Sequence, residues 1–214
     1  VDAYDWDFAQ IQYNIVDRNS QAGEAGIRYA ASRGMGVVVM EPLRGGDLVR
    51  GFAPSVRAAW DTLPGADPAD ICLRWIWDDP DVSAVLSGMN TSGQLRANVL
   101  AASRARPRSL TPGELALASR VAEAYGGLAV TGCTRCGYCR PCPAGVAIPM
   151  ILMTDDELSM FPESATPGLM YNRWIRAEHR ADRCTGCGVC EERCPQRLPV
   201  RRLLAGAHSR LSGR

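Results

Sequence analysis

The chain has 214 residues, 46% of them hydrophobic and 22% charged, with a formal net charge of +1. That length predicts one or two domains with cores of their own, and the composition is that of a soluble globular protein. The near-neutral balance argues against nucleic acid or an anionic membrane as partner, and no run of about 18 apolar residues offers a membrane span.

In chain order, "FAQIQYN" (8–14) alternates and is rich in β-formers, which predicts a strand. "QAGEAGIRYAASRG" (21–34) predicts a helix closed by Gly34. The unbroken apolar run "GVVVMEPL" (36–43) suits a strand buried on both faces, and Gly45 and Gly46 follow it. A short helix is expected over 54–63. Another is expected over 67–79, with Asp67 as N-cap, Pro68 in the first position, and Trp75 and Trp77 as packing residues. "VSAVLSG" (82–88) reads as another buried strand. Helices over 91–103 and 111–126 begin with capping-box spacing, Thr91 with Gln94 and Thr111 with Glu114. Residues 104–110 are a short connector. Strands alternating with helices argue for a parallel sheet with crossovers. In a (β/α)8 barrel, the loops after the last two strands commonly form a phosphate site beside a helix N-terminus. "EPLRGGD" (41–47) and "SGMNTSGQ" (87–94) occupy such places, so they are candidates to hold a dinucleotide pyrophosphate.

Eight of the nine cysteines fall in two runs, Cys133, Cys136, Cys139, Cys142 and Cys184, Cys187, Cys190, Cys194. Three readings compete. Disulfides suit an oxidising compartment, which nothing here indicates, and thiols three apart pair poorly. Structural zinc usually takes two Cys-x-x-Cys pairs parted by a dozen residues or more. The second run, closed by Pro195, has the bacterial ferredoxin spacing, and the first repeats it one residue shorter. An iron–sulfur module with two clusters fits best. In the crossed arrangement, Cys133, Cys136, Cys139 and Cys194 hold one cluster, and Cys142, Cys184, Cys187 and Cys190 hold the other. Gly137, Gly186 and Gly188 keep the loops free of Cβ crowding. Arg135, Arg140, Arg183 and Arg193 flank the ligands, either offsetting cluster charge or simply solvated. Cys72 reads as an inert core thiol. Helices are expected over 146–161, 168–182 and 198–211. His179 and His208 fall in Arg-rich, exposed helices and are assigned no ligand role.

The order of these motifs resembles a known family. "QIQYN", "GVVVMEPLRGG", "LRWIWDDPDVSAVLSGMNTSGQLRANV" and "LTPGELAL", followed by the two cysteine runs, are similar to the C-terminal part of aldo/keto reductases that carry a 4Fe–4S module. The resemblance implies that 1–130 are about strands 6–8 of a TIM barrel and 131–214 a mainly helical, ferredoxin-like two-cluster domain. The opening "VDAYDWDFAQ", acidic and without methionine, reads as the interior of a longer protein whose earlier strands lie upstream. The family's Asp–Tyr–Lys–His tetrad comes from those strands. All 24 basic side chains here are arginine, so no catalytic residue is carried over and the chain by itself is not expected to reduce a carbonyl.

Cofactor contacts carry over in part. Gln10 matches the residue on the nicotinamide carboxamide, and Met40 stands where an aromatic often stacks on the ring. Pro42, Leu43 and Gly45 match the pyrophosphate loop, and Gly88, Asn90, Gln94 and Asn98 match the grip on the adenosine phosphate. Ala97 departs from a common acidic residue, and Gly88 from a common lysine for the 2′-phosphate, which leaves NADP against NAD open. Gln94 also has a capping role, and Asn98 could tie neighbouring loops together. The expectation is an NAD(P)-linked, cytoplasmic oxidoreductase of small carbonyls or alcohols, with two 4Fe–4S clusters and a possible redox partner protein. The alternative is a non-catalytic electron-transfer or scaffold subunit. Three strands with open edges also predict aggregation in isolation.

Overall fold

The computed structural model describes residues 1–213 and divides into two compact units, Val1–Gly126 and Gly127–Arg214. Among the described residues, no helix is long and apolar enough to cross a membrane.

In the first unit, β1 (Phe8–Gln12), β2 (Gly36–Met40) and β3 (Ala84–Val85) form a parallel sheet in that order. Phe8 pairs with Gly36, Gln12 with Met40, and Val39 with Val85. Alternation puts Ile11, Val37 and Val39 on one face. There they share a buried cluster with Ile27 of α1 (Gly23–Ser32) and Ile76 of α3 (Pro68–Trp77). Burial of each such aliphatic contributes about 1.5–3 kcal/mol. The other face is open: Phe8, Gln10 and Ala84 are exposed and Val38 is half-buried. Two expectations are therefore corrected. β2 is fully buried on one face only, and the third strand shrinks from 82–88 to two residues, of which Ala84 is exposed. Apolar runs state a capacity for burial, but the neighbour decides it, and among the described residues β3 has one hydrogen-bonded neighbour.

The helix starts follow the caps. The Asp67 carboxylate accepts the Asp70 N–H at 3.0 Å, and Pro68 opens α3. Thr91 Oγ1 accepts the Gln94 N–H at 3.2 Å at the start of α4 (Ser92–Arg104), while Gln94 Oε1 accepts the Asn90 N–H at 3.0 Å. Thr111 and Glu114 exchange bonds at the start of α5 (Pro112–Gly126), which packs on α2 (Pro54–Trp60). Trp75 stacks near Tyr13 at 5.1 Å, with the Arg18 guanidinium over its ring at 4.7 Å. Cys72 is fully buried, and burial pushes its thiol well up, so it stays protonated.

Glu114 does a second job. Arg74 bonds Asp70 through Nε at 2.9 Å and reaches Glu114 with its guanidinium. Burial raises the Glu114 carboxyl, but Arg74 and Thr111 outweigh it and hold the group below its usual value. A depressed carboxylate contributes stability above its unfolded value and loses it as pH falls through the folded one. Glu114→Gln is expected to destabilise the chain by about 1–2 kcal/mol near neutrality. Urea midpoints at neutral and acidic pH measure this. The gap from the native chain must shrink in acid, and a gap independent of pH contradicts the assignment.

The second unit is helical. α6 (Ile148–Met160) and α9 (Val200–Leu211) pack round a core that includes Ile151, Leu152, Leu158, Tyr171, Leu204 and Leu211. α7 (Thr166–Leu169) and α8 (Val189–Glu192) are single turns. The helix expected over 168–182 is instead broken into a wide turn at Met170–Trp174 and 3-10 turns at Ala177–His179 and Ala181–Arg183. Side chains bond carbonyls of this segment and of α9. Arg180 Nε donates to Ile175 O at 3.1 Å, and Asn172 Nδ2 donates to Gly168 O at 3.0 Å and Leu211 O at 2.9 Å. The histidines are not exposed either: both are half-buried. His208 Nδ1 bonds the Tyr171 hydroxyl at 2.6 Å, and His179 Nδ1 lies 2.7 Å from Gly145 O.

Asp155 on α6 has no exposed surface, and its two oxygens accept from Arg210 Nε and Nη2 on α9. Gly206 makes room for that guanidinium. A Cβ there would stand 3.2 Å from Arg210 Nη1.

Candidate functional site

Two small cavities lie within the second unit. The first is lined by Cys133, Cys136, Cys139 and Cys194, with Ile148 and Leu152 among its apolar walls. The second is lined by Cys142, Cys184, Cys187 and Cys190, with Cys139, Ile148 and Arg201 also in its wall. All eight cysteines are free thiols. Gly137 (φ 80°) and Gly186 (φ 75°) turn the loops in left-handed conformation, with open space where a Cβ would stand.

The donor set fits an iron–sulfur group. Soft sulfur donors converge on each cavity, and neither lining contains a carboxylate. Burial pushes the thiols of Cys133, Cys139 and Cys190 above the ordinary thiol value, so thiolates there call for a cationic group to offset them. Among the described residues, no three His, Cys, Asp or Glu side chains are gathered closely enough to hold a single metal ion. The thiols stand round the cavity walls.

Neighbours invisible to motif reading support the ligand loops. Thr131 Oγ1 accepts the Cys133 N–H at 3.1 Å. Asp156 fixes Thr131 in turn, accepting its N–H at 2.7 Å and its hydroxyl at 2.6 Å. On the other loop, Arg201 bonds Glu191 at 2.7 Å and donates to Gly186 O at 3.3 Å. Three consecutive acidic residues in the middle of an apolar helix, "MTDDEL", were the available signal for Asp156. Nothing local marks Arg201.

The candidate nicotinamide contacts lie in the first unit. Gln10 Nε2 sits 3.2 Å from Met40 Sδ, so the structure brings these two together on the open face of the sheet. Pro42, Leu43 and Gly45 follow β2; Gly88, Asn90, Gln94 and Asn98 follow β3. In neighbouring parallel strands both loops leave the same end of the sheet. Asn98 Nδ2 donates to Ser87 Oγ at 3.0 Å, and Gln94 caps α4, so both also hold the chain itself. Gln10, Gly45, Gly88, Asn90 and Gln94 are exposed. A cavity of about 610 Å³ lies elsewhere, between α3, α4 and the start of α5, and of the nine candidates only Asn98 lines it.

A polar hub, missed from the sequence, holds the loop after β2. Arg44 Nη1 donates to both oxygens of Asp17, at 2.9 and 2.8 Å. Asn14 Nδ2 donates to Asp17 at 2.9 Å and to Glu41 O at 3.0 Å.

Residues 2–107 match the aldo/keto reductase family model. The first unit belongs to the aldo/keto reductase family. Its three parallel strands and their helices are an aldo/keto-reductase-like α/β fold. Later in the chain, residues 132–198 match the 4Fe-4S dicluster domain model. Among solved structures, the chain is similar to the aldo-keto reductase AKR11C1 from Bacillus halodurans in its holo and apo forms. Identity to each is 27% over 54% of this chain, with a TM-score of 0.42. The match spans 42% of the holo and 43% of the apo reductase chain. A curated relative, the mitochondrial pyruvate dehydrogenase [NADP(+)] of Euglena gracilis, is 38% identical over 68 residues. These are 29% of this chain and 4% of that relative's length.

Proposed function

We propose that the protein is an iron–sulfur oxidoreductase of the aldo/keto reductase family, with two 4Fe–4S clusters in crossed ligation. Cys133, Cys136, Cys139 and Cys194 hold one, and Cys142, Cys184, Cys187 and Cys190 hold the other. The observation that carries this reading is the lining of the two cavities, each drawing thiols from both runs. When bound, such clusters take up and release single electrons. Thr131, Asp156 and Arg201 orient the loops that present the thiols.

In the whole protein, the ends of β1–β3 receive NADP or NAD, with Gln10 and Met40 at the nicotinamide. Pro42, Leu43 and Gly45 lie along the pyrophosphate, and Gly88, Asn90, Gln94 and Asn98 at the adenosine phosphate. The reaction is the interconversion of a small carbonyl and an alcohol. The family match and the shared end of the two loops support this.

Anaerobic purification with iron and acid-labile sulfide determined per chain is the test. About eight of each, with the EPR signal of two interacting clusters after reduction, is the expected result. Zinc without sulfide overturns the reading. A second reading, a non-catalytic electron-transfer or scaffold subunit, is favoured by the place of the 610 Å³ cavity, which only Asn98 of the nine nicotinamide candidates lines. Nicotinamide binding followed by fluorescence separates the two: binding that Gln10→Ala abolishes supports the reductase reading, and no binding supports the subunit.

A further inference from the structure

The two stretches that supply the first cavity, 129–154 and 193–202, contain no acidic residue. Arginines stand between or beside the lining residues. Arg135 lies between Thr134 and Cys136, Arg140 follows Cys139, Arg193 precedes Cys194, and Arg197 lies between Gln196 and Leu198. All four are exposed. Arg135 (φ 58°) and Arg197 (φ 50°) even occupy left-handed backbone, which glycine or asparagine would hold with less strain. Non-glycine residues kept in that region concentrate at functional sites. Cys136 is itself exposed, and between it and Cys139 stands Tyr138, 66% exposed. Tyrosine and arginine are the residue types that carry protein–protein contact energy. Residues 127–214 as a whole hold twelve arginines against eight acidic side chains.

We infer that this arginine rim with Tyr138 is a docking surface for a small acidic protein carrying a one-electron centre. The rim sets the partner's charge. Exposed positive charge round the thiol cavity steers an acidic surface to it and turns a basic one away. The inference rests on the cluster reading above. In the docked pair one electron leaves the carrier's reduced centre and enters the group held by Cys133, Cys136, Cys139 and Cys194. The carrier is oxidised by one electron, the group is reduced by one, and no bond forms or breaks.

The test uses the full chain, with iron and sulfide determined on every sample, and an acidic flavodoxin as probe. Basic cytochrome c and duplex DNA serve as comparators. Flavodoxin is expected to bind at low ionic strength and to be released by salt. The Arg140→Gln/Arg197→Gln variant is expected to bind about tenfold more weakly with its iron content intact, and Arg140→Lys/Arg197→Lys to restore binding. Flavodoxin binding unaffected by salt or by the glutamine pair overturns the inference. So does equal or tighter binding of cytochrome c or of DNA. Iron-free protein that still binds flavodoxin through these arginines would sink the cluster reading and leave the docking surface standing.

Discussion

Changing Cys136 and Cys194 together to alanine is expected to leave about four of eight irons per chain, whereas changing Cys136 and Cys142 together removes nearly all of them. The two double variants delete the same number of thiols and differ only in which cavity the thiols line. Cys136 and Cys194 share the first cavity although 58 positions separate them in the chain; Cys142 lies in the same run as Cys136 but lines the second. Ligation run by run predicts the reverse. There, Cys136 with Cys142 would cost one cluster, and Cys136 with Cys194 would cost both. Iron and sulfide analysis decides the matter without any assay of activity, and equal losses in the two variants would contradict both schemes.

Arg210→Gln is expected to destabilise the second unit by about 3 kcal/mol, the lower end of what breaking a buried ion pair costs, because Arg210 itself is half-exposed. Asp155 has no exposed surface: it lies on α6 with Ile151, Leu152 and Leu158. Removal of its partner strands the carboxylate among aliphatic side chains. Adding Asp155→Asn to the same chain replaces the stranded charge with a neutral amide and is expected to recover much of the loss. Gly206→Ala crowds the guanidinium from behind and is expected to give a smaller version of the same defect. Urea midpoints of the four proteins form the comparison. A neutral Arg210→Gln, or a double variant no better than the single one, would show that the pair is not what joins α6 to α9.

What could be read from the sequence was what is decided locally. Asp67, Thr91 and Thr111 start their helices because a cap needs only a side chain and an N–H three residues on. What escaped needed a partner distant in sequence. The stretch 168–182 reads as a helix, but the chain breaks into separate turns there, with Arg180 and Asn172 bonding carbonyls within the segment. His208 looked solvated until Tyr171, 37 positions away, took its ring nitrogen. Asp155 could have been suspected, since it falls on the apolar spacing of Ile151, Leu152 and Leu158, yet nothing nearby names Arg210. The third strand was misjudged for the same reason: "VSAVLSG" is apolar enough to be buried, but among the described residues only β2 pairs with it. At the candidate sites, the thiols were visible as a pattern, while Thr131, Asp156, Arg201 and the Asn14–Asp17–Arg44 hub were not.

The hub beneath residues 41–47 bears on how anything binds there. Glu41, Arg44, Gly45 and Gly46 all sit at positive φ, a contour that a free peptide would rarely sample, and Asp17 and Asn14 fasten it from below. The entropy of shaping this segment is lost during folding, before any ligand arrives. It is therefore a template and not a lid. A molecule lying along it would be selected by fit, and would depart by breaking contacts one after another without waiting for a hinge to open.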